Sequence, residues 1–162
     1  MAPNKNDILD TMMNGIKPSQ ESIKSFEEAK AKAEAGDMEA MNRLGGCYMM
    51  GFGTSTDYKK AMECFLKVAE FGNDEAMDTL GIGYMNGIGF PKNYKKAMEW
   101  FMKAAEKGNA HAMYSIGVLV HDGLGVESDK EVALGWLKKA ADLGEPHAKA
   151  VYPKLAKSLG KK

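Results

Sequence analysis

From Gly36 onward this chain repeats itself every 36 residues without a gap. The first row is "GDMEAMNRLGGCYMMGFGTSTDYKKAMECFLKVAEF", the second "GNDEAMDTLGIGYMNGIGFPKNYKKAMEWFMKAAEK", and the third "GNAHAMYSIGVLVHDGLGVESDKEVALGWLKKAADL". A partial fourth row opens at Gly144. Self-similarity at such a period signals one supersecondary unit per row, each too small to bury a core alone and stabilised by stacking on the next. That single feature removes most globular topologies from consideration.

Each row carries two amphipathic helical patterns. Ala40, Met41, Leu44, Gly45 and Tyr48 fall on one face of a 3.6-residue period, and Ala76, Met77, Leu80, Gly81 and Tyr84 repeat that face. A second pattern runs Ala61, Met62, Phe65, Val68, Ala69 and recurs as Ala97, Met98, Phe101, Ala104, Ala105. Asp57, Asn93 and Asp129 precede it as expected N-caps. Gly36, Gly72, Gly108 and Gly144 follow it where a left-handed C′ residue belongs. Gly45, Gly81 and Gly117 lie inside the first helix, where glycine costs about 1 kcal/mol against alanine, so a close helix–helix approach is expected there.

The G-x-G pairs at 51/53, 87/89 and 123/125 resemble a phosphate-cradling loop only in isolation. A dinucleotide fingerprint follows a strand and occurs once per βαβ unit. Here no β-rich stretch precedes the pair, and it recurs with the helical period. It reads as the turn between two helices.

Composition narrows function further. Lys+Arg and Asp+Glu both number 22, so no net field draws the chain to nucleic acid or to an acidic membrane. Arg43 is the sole arginine, although arginine is the usual reader of phosphate and guanine. Neither nucleic acid nor a membrane is therefore expected as a partner. Cys47 and Cys64 are too few for a disulfide framework or a cysteine tetrad. Free thiols and a start, "MAPNKNDILDTMMNG", without an apolar stretch make cytoplasm the expected compartment.

The repeat extends beyond the three rows. Set back by 36, "MMNGIKPSQESIKSFEEAKAKAEAG" aligns with "YMMGFGTSTDYKKAMECFLKVAEFG", which places a degenerate first repeat at residues 3–35. Full repeats follow at 36–71, 72–107 and 108–143, and a closing helix at 144–162, all within one domain spanning 1–162. Pro153 falls at the register of Gly45, so a kink or break is expected near Tyr152.

These rows resemble the Sel-one-like repeat (SLR) family of tetratricopeptide-like solenoids. Row two carries the family pattern at Ala76, Leu80, Gly81, Tyr84, Gly87, Gly89, Lys96, Ala97, Trp100, Lys103, Ala104, Ala105 and Gly108. Asn93 stands for the family Asp and Phe90 for the Val, while row three has Val120 for the Tyr and Val132 for the Lys. The resemblance implies an all-α fold, a right-handed α/α superhelix of helix-turn-helix repeats. It also implies a non-enzymatic adaptor or scaffold that binds protein or peptide, or else a dedicated inhibitor or immunity-type protein occluding one enzyme. A secreted branch of the family pairs cysteines between repeats, but Ala69 and Ala76, and Ala105 and Ala112, occupy those positions here.

By the same resemblance the first helix of each repeat lines the concave side. Its ligand positions carry over to Asn42, Arg43, Met49 and Met50 in row one, Asp78, Thr79, Met85 and Asn86 in row two, and Tyr114, Ser115, His121 and Asp122 in row three. Amides and hydroxyls there suit a peptide backbone, Arg43 a carboxylate, and the methionines soft apolar contact. The competing chemistry is thin. His111 and His147 share a row position, but stacked helices stand about 10 Å apart, too far to share one zinc with bonds of about 2 Å. No catalytic residue, metal or cofactor is expected, and a monomer is. Cys64 replaces the tryptophan of positions 100 and 136 and reads as a small packing residue.

Overall fold

The computed structural model describes residues 18–161. They form eight helices and no strand: α1 (Gln20–Glu34), α2 (Met38–Met50), α3 (Tyr58–Glu70), α4 (Asp74–Asn86), α5 (Tyr94–Glu106), α6 (Ala110–Asp122), α7 (Lys130–Asp142) and α8 (Pro146–Ser158). Helices α2, α4, α6 and α8 begin at 38, 74, 110 and 146, and α3, α5 and α7 at 58, 94 and 130, so both series keep the 36-residue step. We call the first series A helices and the second, with α1, B helices. Residues 3–17 of the expected first repeat lie outside the described residues, and α1 takes the place of its B helix.

Local chemistry sets each boundary. The side chains of Asp37, Asn73 and Asn109 accept the amides of Ala40, Ala76 and Ala112 at the A-helix starts. Asp57, Asn93 and Asp129 cap the B helices in the same way, as their sequence positions predict. The turn between A and B explains the glycine pairs. Gly87 ends α4 with φ of 75°, a left-handed cap that a side chain would strain. Gly89, also left-handed, passes so close to the preceding repeat that a Cβ would sit 2.4 Å from the carbonyl oxygen of Tyr58. One glycine stops the helix and the other lets the turn rest on the previous B helix.

The core follows the register. Phe65, Phe101 and Leu137 of the B helices are all buried, and each faces an A-helix glycine. A Cβ built on Gly81 would lie 2.5 Å from two ring carbons of Phe101, and one on Gly117 would lie 2.8 Å from Leu137 Cγ. The interior glycines are thus notches for large B-helix side chains, as expected. Leu44, Leu80 and Ile116 fill the other side of the seam, each worth roughly 1.5–3 kcal/mol when fully buried.

The break expected near Tyr152 does not occur, because α8 runs unbroken through Pro153. Proline removes the bond to the carbonyl of Lys149, but both residues are exposed and water can serve that oxygen. Buried Ala148, Leu155 and Ala156 fasten the helix to the core on either side.

Candidate functional site

Each helix packs on the next in sequence, and α4 also touches α6, its counterpart one repeat on. Polar side chains cross the same seam. Asp78 on α4 pairs with His111 on α6 at 2.8 Å between Oδ2 and Nδ1. Asn109 donates to Asp74 at 3.0 Å. Tyr114 stacks on His147 of α8 with ring centroids 5.5 Å apart, and stands 6.2 Å from His111. The His147 ring meets Glu145 at 2.8 Å, and the buried Glu145 carboxylate also caps α8 through the Ala148 amide.

This ladder is electrostatically loaded. The hydrogen bond that His111 donates to the Asp78 carboxylate raises the imidazole pKa above its ordinary value, against the opposing effect of burial. The other Asp78 oxygen, Oδ1, is buried without a hydrogen-bond partner among the described residues. Burial pushes the Glu145 carboxyl up, but the Ala148 amide and His147 outweigh it, and the net displacement is downward.

The twelve sequence-derived positions do not form one cluster. Asp78 and Tyr114 join the ladder near the A-helix starts. Asn42 lies beside Met38, Val68 and Phe71 on a groove of about 460 Å³, where Phe71 is 77% exposed. Arg43 is exposed and meets Glu39 of its own helix at 3.6 Å. Thr79 and Asn86 donate to carbonyls one turn back, those of Glu75 and Ile82. Met49 and Met85 lean on the core, whereas Met50 is exposed at its helix end. His121 and Asp122 pair with each other at 2.6 Å beside the third turn. Ser115 is a correction: it is buried, so its hydroxyl does not face a partner.

Sequence reading left His147, Glu145, Asp74 and Asn109 off the list and set His111 aside. Asp78 and His111 are 33 residues apart, one helical turn short of a repeat, which brings neighbouring A helices together on a diagonal.

Among the described residues no three His, Cys, Asp or Glu side chains gather as metal ligands. Burial raises the thiols of Cys47 and Cys64 above their ordinary values, which keeps them protonated and poorly nucleophilic at neutral pH. Among the described residues no helix is long and apolar enough to cross a membrane.

Such an array of stacked helix pairs, repeated at a fixed step, defines an α-helical repeat protein. The chain belongs to the Sel1 repeat family, whose model matches residues 39–73, 74–109 and 110–145, more than half its length. Proteins of this family generally mediate protein–protein interaction and are typically non-catalytic. A comparison with curated proteins finds no significant match.

Solved structures agree. A protective antigen of uropathogenic Escherichia coli strains displaying an SLR fold is 41% identical with a TM-score of 0.70. The match covers 74% of this chain and 26% of that one. A Sel1 repeat protein from Oxalobacter formigenes is 30% identical with a TM-score of 0.73, covering 88% of this chain and 61% of that one. This chain thus spans about a quarter and three fifths of those two relatives. Helicobacter pylori cysteine rich protein B, 23% identical with a TM-score of 0.61, covers 78% of this chain and 96% of its own, and shows the fold alone. That fold is the all-helical repeat solenoid that the resemblance implies.

Proposed function

We propose that this protein is an adaptor whose inner A-helix face holds a polypeptide segment of a partner protein. One observation carries the reading. A line of polar and aromatic groups, Asp78, His111, Tyr114 and His147, crosses three successive A helices and grades from mostly buried Asp78 to exposed His147, while the residues beneath them repeat as core. Such a line suits an extended chain laid along the stacking axis, with a backbone bonded by amides and carboxylates and side chains seated on Tyr114 or the Phe71 groove. Substrate chemistry would instead call for groups converging on one point.

Site-specific photo-crosslinking tests the proposal. A benzophenone side chain placed at Asn42 or Asn86 should capture a discrete polypeptide in extracts of the native host. The same group at Lys95 or Glu99, on the outer face of α5, should capture none of it. Capture from Lys95 or Glu99 alone would overturn the inner-face assignment.

A further inference from the structure

We infer that the outer face of the first full repeat carries a receptor groove for an aromatic side chain of indole size, supplied by a partner protein. The inference does not rest on the inner-face reading. It comes from comparing the repeats with one another. In α5 and α7 the same register holds Trp100 and Trp136, each packed half-buried on the core. Each indole has an ammonium over its face, Lys103 at 4.1 Å and Lys139 at 4.6 Å from the ring centroid. In α3 that register holds Cys64.

On the A-helix side the surroundings of position 64 match those of position 100, while on the preceding B helix Lys30 holds the register of Leu66. Met41, Leu44 and Tyr48 stand where Met77, Leu80 and Tyr84 stand one repeat later. Lys60 lies 5.4 Å from the Tyr48 ring, as Lys96 lies 5.3 Å from the Tyr84 ring. Lys67 takes the place of Lys103 and so keeps the cation of the Trp–Lys pair where position 64 offers no ring. One indole is missing from the register, and a groove of about 500 Å³ lies between α1 and α3, its floor formed by Met41, Leu44 and Cys64, which are themselves buried. Binding clefts run from about 300 to 1,000 Å³.

Charge selects the occupant. Lys30, Lys60 and Lys67 share the rim with Glu34 and Glu63. The nearly balanced rim gives a bare anion little net attraction. A ring gains twice, by burying its apolar body over Met41 and Leu44 and by turning its negative face to an ammonium. A tryptophan side chain meets both conditions, as Trp100 and Trp136 do within this chain.

The test is a titration of the full chain with N-acetyl-L-tryptophanamide, followed through the methyl resonances of Met41 and Leu44. Saturable shifts confined to these groups are expected. Cys64→Trp, which restores the side chain of the other repeats, should fold with an unchanged or higher melting temperature and bind at least tenfold more weakly. Lys67→Gln should weaken binding about two- to fivefold, the range of a partly exposed cation–π contact. Absence of shifts, or equal affinity for Cys64→Trp and the parent, overturns the proposal. Should Cys64→Trp fail to fold, Cys64→Leu takes its place, and unchanged affinity there overturns it equally. Inner-face substitutions should leave this titration as it is, which separates the two sites.

Discussion

Replacing Gly81 probes the seam that holds each repeat together. A Cβ on Gly81 would lie 2.5 Å from Cδ1 and Cε1 of Phe101 and 2.9 Å from its Cγ. Carbon atoms pack at about 3.5–4.0 Å, so α4 and α5 must part by about 1 Å or the ring must turn. Phe101 is 0% exposed and has no open side to turn toward. Overpacking of this kind costs about 1–3 kcal/mol. Alanine recovers about 1 kcal/mol of helix propensity, so Gly81→Ala should lose about 0–2 kcal/mol. Valine recovers less and adds two methyl groups, so Gly81→Val should lose about 1–3 kcal/mol. At roughly 2–4 °C per kcal/mol for a chain of this size, thermal melts by circular dichroism resolve the difference. Gly46, on the same kind of helix, meets nothing within 4 Å. Gly46→Ala should therefore stabilise by about 0.5–1 kcal/mol. Parent-like melting of Gly81→Val, or equal losses for Gly46→Ala and Gly81→Ala, would refute the notch argument.

Two further perturbations follow from the ladder and the last helix. Because Asp78 raises the His111 pKa above its unfolded value of about 6.5, the stability it adds is complete below that pH. It is lost as pH rises through the folded value, so His111→Ala should cost more at pH 5.5 than at pH 8.5. The imidazole is 43% exposed and screened, so the gap should stay below about 1 kcal/mol, and a larger cost at pH 8.5 would contradict the pairing. Pro153→Ala should restore a bond to the Lys149 carbonyl within an unbroken helix and raise stability by about 1–3 kcal/mol; a lower melting temperature would show that the proline packs favourably.

The fold was legible because its period is printed in the chain. Gly81 opposite Phe101 and Asn93 before Tyr94 are relations within one repeat, and sequence distance fixes them. Relations between repeats depend on the stagger with which A helices stack, and no single row contains it. That is why the pair of Asp78 with His111 was missed. Side-chain size decided Ser115, which shares a register with Arg43 and Thr79. The long Arg43 reaches water while the short serine stays in the seam. At Pro153 a local rule met tertiary anchoring and lost, since Ala148, Leu155 and Ala156 hold α8 in place. The Cys64 groove was half visible: the missing tryptophan shows in the rows, but the space it leaves shows only when α1 and α3 are placed side by side.

Affinity for the partner captured by crosslinking tests the central claim most directly, measured by calorimetry for the parent, an inner-face triple and an outer-face double variant. Asn42→Ala, Arg43→Ala and Asn86→Ala together remove half-exposed or exposed groups of the A helices, whose contacts in the free protein are local. They should weaken binding at least tenfold, about 1.4 kcal/mol, while stability stays within about 1 kcal/mol of the parent. Lys95→Ala with Glu99→Ala, on the outer face of the repeat whose groove Trp100 fills, should leave affinity nearly unchanged. Loss of binding in the outer-face double variant, with the inner-face triple at parental affinity, would contradict the account.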